Sequence, residues 1–494
     1  MRLLPLCMLV TLAFPVAAQE RSKFALTVYS SAQPGQLDSE QLANYGPALP
    51  GYALVRDQRR LQIAKGRSQI LFDEVAARMD PSTVSFESLT DPDGTRVLEQ
   101  NYQFDLVSGD KLLQRYLGQT VTVEQVRGDA AQATTGELLS AHGGLTLRLA
   151  SGEIATFTSW NAIRFPSLPG GLIVEPTLQW LVEASRGGMH EVRVSYQARG
   201  MTWWADYNAV LDESGGCALA LSAWVTLVNQ SGASFPETRL KLVAGEVNRA
   251  PPPAQPMLYD RGVKRMEMAA AADGFQESGL FEYHLYTLGR RTDLPDNSTK
   301  QIELLPAADR VECTQQLVFT AAPEPMFFGQ PNLDQGLAAT SEGTVGAWLE
   351  FENSKDNGLG VALPAGRLRV NQLDPADGSL EFIGEDVIGH TPRNETLRIK
   401  LGNAFDIVGE RRQTAFKVDA KARWAEESFL IEVRNRKEEA VEVVVRDYLY
   451  RWSDWRITSG SHEHVARDAQ TIDFPVQIPA DGSVEVAYTV RYTW

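Results

Sequence analysis

The sequence predicts an all-β protein, and three observations carry that prediction. Nearly every patterned segment alternates apolar and polar residues with period two, the mark of a strand with one buried face. Turn residues recur between these segments, and the 39 glycines are frequent enough to supply them. A single segment has helical spacing instead: "GDKLLQRYLG" (109–118) sets Leu112, Leu113, Tyr116 and Leu117 on one stripe, with Gly118 as its stop. At 494 residues, 43% of them hydrophobic, the chain has material for several buried cores.

Taken in order, the elements divide the chain. Arg2, the apolar run "LLPLCMLVTLAF" and the small-residue exit "PVAA" form a signal peptide over 1–18, with cleavage expected after Ala18. "FALTVYS" (24–30), "RSQILFDEV" (67–75) and "RVLEQNYQFDLV" (96–107) then make an N-terminal β unit over 19–109. Behind the helix lie "QTVTVEQV", "TGELLS", "GLTLRLA" and "EIATFTSW", closely spaced and parted by short glycine loops. That rhythm suits a small SH3-like barrel over 110–168. "FPSLPGG" (165–171) marks a boundary, after which seven strands predict an antiparallel β-sandwich over 172–325. Within it, residues 249–279 combine a proline run and an alanine run with no alternating face, and are expected to form a flexible insertion. "PEPMFFGQPNLDQG" (323–336) is the next linker, and 337–494 is predicted as an immunoglobulin-like sandwich. Its turn "RNRKEEA" (434–440) joins two alternating strands.

Composition narrows the function classes. The net charge is −16, and removal of a leader carrying Arg2 makes it one unit more negative. Such a surface repels phosphate backbones, so nucleic acid is not an expected partner. Beyond the leader no segment approaches the roughly 20 apolar residues of a membrane helix. Localisation is therefore predicted as secreted or periplasmic. Of three cysteines, Cys7 falls in the leader, leaving Cys217 and Cys313 either to form one disulfide or to stand as two buried thiols.

The aromatic stretch "YQARGMTWWADYNAVL" (196–211) yields to the same alternation. Trp203, Ala205, Tyr207, Ala209 and Leu211 share one strand face and read as core. Trp204 shares the other with Asp206, Asn208 and Val210, which makes it the candidate binding aromatic; packing against a neighbouring strand or domain is the alternative. This stretch, with "LSAWVTLVNQSGASF", "LKLVAGEVNR", "FEYHLYTLGRRTDLPDNSTKQIELL", "GEDVIGHTPRNETLRIKLGNAFDIVGERRQ" and the closing "YTVRYTW", resembles the domain of unknown function 4139 family of predicted secreted proteins. The resemblance covers most of the chain beyond the leader, most clearly from about residue 190 onward. It implies export and a β-rich build, and carries over no catalytic residue.

Candidate chemistry is sparse. "GEDVIGH" holds Glu385, Asp386 and His390 close in sequence, and paired carboxylates are the acid and base of glycosidases. "HEH" sets His462 and His464 on one face of an extended chain, but no third metal ligand is identifiable. No phosphate loop, nucleophile elbow or zinc-type cysteine spacing occurs, so no cofactor, metal or catalytic residue is predicted. The expected function is a non-catalytic binding or structural component of the cell envelope or exterior, with an envelope protein or a glycan as partner. The alternatives are an envelope hydrolase using Glu385 and Asp386, and an outer-membrane β-barrel suggested by the alternation of "VEVAYTVRYTW" (484–494). For that closing strand the expectation is pairing within the C-terminal sandwich, Trp494 lying half-buried at its edge.

Overall fold

The computed structural model describes residues 23–29, 37, 42–45, 48–103, 107–127, 130–167, 169, 175–212, 216–245, 247, 275–280, 283–322, 329–337 and 339–494. The proposed leader over 1–18 and residues 249–274 of the insertion lie outside them. The remainder is β throughout, with short helices only at Leu42–Tyr45 and Gly109–Arg115. The second starts where Ser108 Oγ accepts the Lys111 amide at 3.3 Å, a serine N-cap.

The expected separation of an N-terminal unit (19–109) from a middle sandwich (172–325) is not what the strands build. In an eight-stranded sheet, Lys23–Tyr29 runs parallel to Phe235–Ala244 on one side and antiparallel to Tyr52–Ile63 on the other. Tyr52–Ile63 pairs in turn with Gly188–Arg199, and Thr177–Ala184 sits between Gly66–Phe72 and Thr95–Gln103 in a smaller sheet. One apolar core runs through both regions, joining Phe24, Val55, Trp180, Tyr196, Trp203 and Leu240 to Val370 and Ile399. Parallel partners must be brought together by long crossovers, and a period of two says which face a residue takes without saying which strand lies beside it. The final residues of the predicted insertion are also ordered into this sheet: Phe275–Leu280 pairs antiparallel with Tyr283–Leu288.

The small unit is a domain inserted into a hairpin. Its flanking strands Thr95–Gln103 and Thr177–Ala184 are antiparallel neighbours, with Gln103 directly opposite Thr177. Five strands follow the order Ala162–Arg164, Thr120–Arg127, Ala130–Ser140, Leu145–Leu149, Ile154–Phe157, so the last in sequence pairs with the first, but the sheet is not the closed barrel expected. The sheet stays open between its two edges. Its own core holds Val121, Val123, Leu138, Leu147 and Tyr116, whose hydroxyl donates to the Ser167 carbonyl at 2.6 Å.

The predicted linker at 323–336 does not separate two independent sandwiches either. Ser298–Thr320 is a single strand of 23 residues, and Thr396–Asp419 one of 24. Register shifts opposite Leu221 and Ala223 disturb the alternation of the first. Its beginning pairs with Ala218–Asn229, Cys313–Val318 pairs with Gly346–Phe351, and Leu317–Thr320 runs parallel to Val443–Arg446. Phe319 and Ala321, from before the expected boundary, thus belong to the second core with Ile407, Phe429, Val445 and Phe474. The turn at 434–440 leads not to a hairpin partner but across the sandwich: Trp424–Asn435 pairs with Ser483–Thr493, and Val441–Tyr448 with Thr471–Ile478. The closing strand buries Val486, Tyr488, Val490 and Tyr492 in this core and leaves Trp494 half-buried.

Cys217 and Cys313 form a disulfide, Cα to Cα 5.0 Å, spanning 96 positions of chain. The Cys313 amide also donates to the Cys217 carbonyl at 3.0 Å, so the cross-link continues the ladder between Ala218–Asn229 and Ser298–Thr320. On a loop-entropy account, cross-linking a loop on the order of 100 residues contributes about 4–5 kcal/mol. Equilibrium denaturant melts with and without reductant should therefore differ by up to that amount, and Cys217→Ser should remove the difference. Trp203 is 1% exposed and lies edge-on to Tyr286 at 6.2 Å between ring centroids. Trp203→Ala should cost about 3–5 kcal/mol in the same melts, and Trp204→Ala, at a half-buried position, much less.

Candidate binding face

Alternation along Met201–Asp212 and Ala218–Asn229 sends Trp203, Ala205, Tyr207, Leu221 and Val225 into the first core. The intervening residues must then face the other way, and register shows what they meet. Asp206 lies opposite Trp224 on one neighbouring strand and Arg367 on the other, and Trp224 lies opposite Glu303. One row along, Asn208 stands between Ser222 and Arg369, with Glu385 beyond Arg369. On these strands the face turned away from the core carries a grid of polar side chains around Trp224.

The grid is wired across five strands. Gln301 Nε2 donates to Thr226 Oγ1 at 3.3 Å, and Thr226 Oγ1 donates to Asp206 Oδ2 at 2.7 Å. Asp206 Oδ1 is 3.7 Å from Arg369 Nη1, and Arg369 Nε is 3.3 Å from Glu385 Oε2. Arg367 approaches the same carboxylate at 3.9 Å. Asp206, held on two sides, is only 13% exposed at its side chain, while Trp224 is 38% exposed. A half-exposed indole among side chains fixed by one another is a preorganised contact surface.

The two candidates read from sequence lie on this face in different circumstances. Trp204 is half-buried: it packs against Leu37, Leu42, Leu49 and Val228, so the segment carrying the short helix Leu42–Tyr45 covers much of it. The open aromatic is Trp224. Its signal was present in "ALALSAWVTLVN", where it alternates with Ser222 and Thr226 opposite the apolar Leu221, Ala223 and Val225. Glu385 joins the grid, whereas Asp386, next along the strand, is spent on the fold: its Oδ2 accepts the Lys400 amide and its Oδ1 the Val387 amide, both at 2.8 Å. His390 Nδ1 accepts the Ala365 amide at 3.0 Å. These three do not surround a common space in which an acid and a base could flank one bond. His462 meets Ser461, and His464 lies against Phe474. Among the described residues no three His, Cys, Asp or Glu side chains cluster as metal ligands.

A second polar constellation is enclosed in the C-terminal core. Arg411 Nε binds Asp447 Oδ2 at 2.8 Å, and the guanidinium lies 3.6 Å over the Phe429 ring. The Tyr488 hydroxyl donates to the same Asp447 oxygen. Arg451 Nε binds Glu427 Oε2 at 2.7 Å, while Tyr492 and Gln413 also donate to Glu427. Arg451 Nη1 reaches out of the core to the Asp334 carbonyl at 2.7 Å, tethering the 329–337 segment. All four charged side chains are at most 1% exposed. Each of the four has a charged and a hydrogen-bonded partner inside the core, which makes this a structural lock.

Compared with known proteins, the chain matches no family model and no curated protein.

Burial raises the Glu427 carboxyl above its ordinary value near 4.5, outweighing the opposing pull of Arg451, Arg411 and Tyr492. The folded state then holds this proton more tightly than the unfolded chain. Its contribution favours folding fully below about pH 4.5 and is lost as pH rises through the raised folded-state value. Chemical-denaturation stability measured from acid to neutral pH should show this slope in the wild-type protein. In Glu427→Gln that component of the pH dependence should disappear, and only above the raised folded-state value should the variant also lack the charge opposite Arg451.

Proposed function

We propose that the protein is an exported, non-catalytic binding component of the cell envelope or exterior, and that the outer sheet face around Trp224 is its contact surface. The observation that carries this reading is the wired grid: five strands place side chains of fixed orientation around a half-exposed indole on an open face. An all-β frame with a disulfide suits an oxidising compartment. No helix among the described residues is long and apolar enough to cross a membrane. Membership of the domain of unknown function 4139 family and cleavage after Ala18 are part of the same proposal, supported by the sequence motifs. A hydrolase centred on Glu385 and Asp386 draws no support from the geometry, because the two carboxylates take separate structural partners.

The test is crosslinking in the native envelope with a photoreactive residue at Ala220, which is exposed and on the same face as Trp224. Covalent adducts at 220 that are absent when the photoreactive residue replaces Thr146 in the inserted unit support the reading. No adduct from the sheet face, or steady turnover of envelope polymers by purified protein, counts against it.

A further inference from the structure

We infer that the row through Trp224 binds a neutral, hydroxyl-rich oligosaccharide lying across the strands. The inference rests on the face being the contact surface and adds the chemistry of what it contacts. A pyranose ring has an apolar C–H face and a rim of hydroxyls, each able to donate and accept. Trp224 supplies a broad, flat apolar surface, 38% exposed, for the first. Its two register neighbours, Asp206 and Glu303, supply acceptors on either side for the second, since an ionised carboxylate accepts only. Arg369 and Asn208 in the adjacent row bring N–H donors for the hydroxyl oxygens. Neighbouring strands stand about 4.8 Å apart, so these groups recur at short, regular steps in one surface, as an extended chain of rings requires.

Charge selects this occupant over the others. Asp206, Glu303 and Glu385 face Arg367 and Arg369, leaving the row close to balance, with Glu385 paired to both arginines. A polyanion meets those carboxylates and a chain of net charge −16; a polycation meets the guanidiniums. A protein partner would be centred on apolar side chains, and the exposed ones of this face, Leu373, Leu380, Phe382 and Val387, stand on the edge hairpin two and three strands from Trp224. Asp206 is already fixed by Thr226 and Arg369, so little side-chain freedom is lost when a ligand binds.

The experiment is titration of the full chain, by calorimetry and tryptophan fluorescence, with cellohexaose, laminarihexaose, maltohexaose and chitohexaose, and with heparin and polylysine as charged comparisons. The expected result is saturable binding of at least one neutral hexasaccharide, weakened tenfold or more by Trp224→Ala and by Asp206→Asn, and unchanged by Trp160→Ala in the inserted unit. Trp224→Phe, which keeps a ring, should retain part of the affinity and shows that loss in the alanine variant is not misfolding. Binding of none of the four sugars, binding that survives Trp224→Ala, or preference for heparin or polylysine would overturn the inference. A protein crosslinked from position 220 with no sugar bound would overturn the glycan while leaving the contact surface standing.

Discussion

The hydrogen-bond ladder of Ser298–Thr320 is the constraint on which the rest of the molecule depends. Its first residues complete the sheet that bears the Trp224 grid, through Gln301 and Glu303. Its last residues enter the opposite layer of the C-terminal sandwich beside Val441–Tyr448. One uninterrupted strand therefore serves two cores, and the disulfide at Cys313 fixes it at the point where it passes from one to the other. Moving this strand by a single residue would turn Ile302 and Leu304 out of the first core and the grid residues inward.

The C-terminal core meets a different demand. Burying two arginines and two carboxylates costs more desolvation than their attraction returns unless every remaining hydrogen-bonding group is met. Here tyrosine hydroxyls, an amide and backbone carbonyls meet most of them. Phe429 and Phe416 lie beneath the guanidinium faces, where a delocalised cation rests on the electron-rich ring. The arrangement fixes which strand faces which, because any other pairing would leave a charge in the core without its partner.

How far the sequence revealed this depends on whether the information was local. The burial of Trp203 and Tyr207, and of alternate residues in the closing strand, follows from period-two alternation and is found. The helix Gly109–Arg115 is likewise local, and lies where the spacing put it. The domain divisions were not legible, because the parallel pairs that erase them join residues such as Leu26 and Leu240. Arg411 and Arg451 look like solvent-facing charges along the chain; their carboxylates arrive from 36 and 24 positions away. At the binding face, alternation gives the outward side of both Trp204 and Trp224, but whether that side stays open depends on what the segment around Leu42 covers.

The inserted unit has a mechanical consequence. Its two ends leave the body from the same end of one antiparallel pair, at Gln103 and Thr177. A pull on the unit therefore loads the terminal hydrogen bonds of that pair first and opens them one after another, like a zip, instead of shearing the whole ladder at once. Tension applied there would be relieved within Thr95–Gln103 and Thr177–Ala184 before it reached the long strands that carry the Trp224 surface.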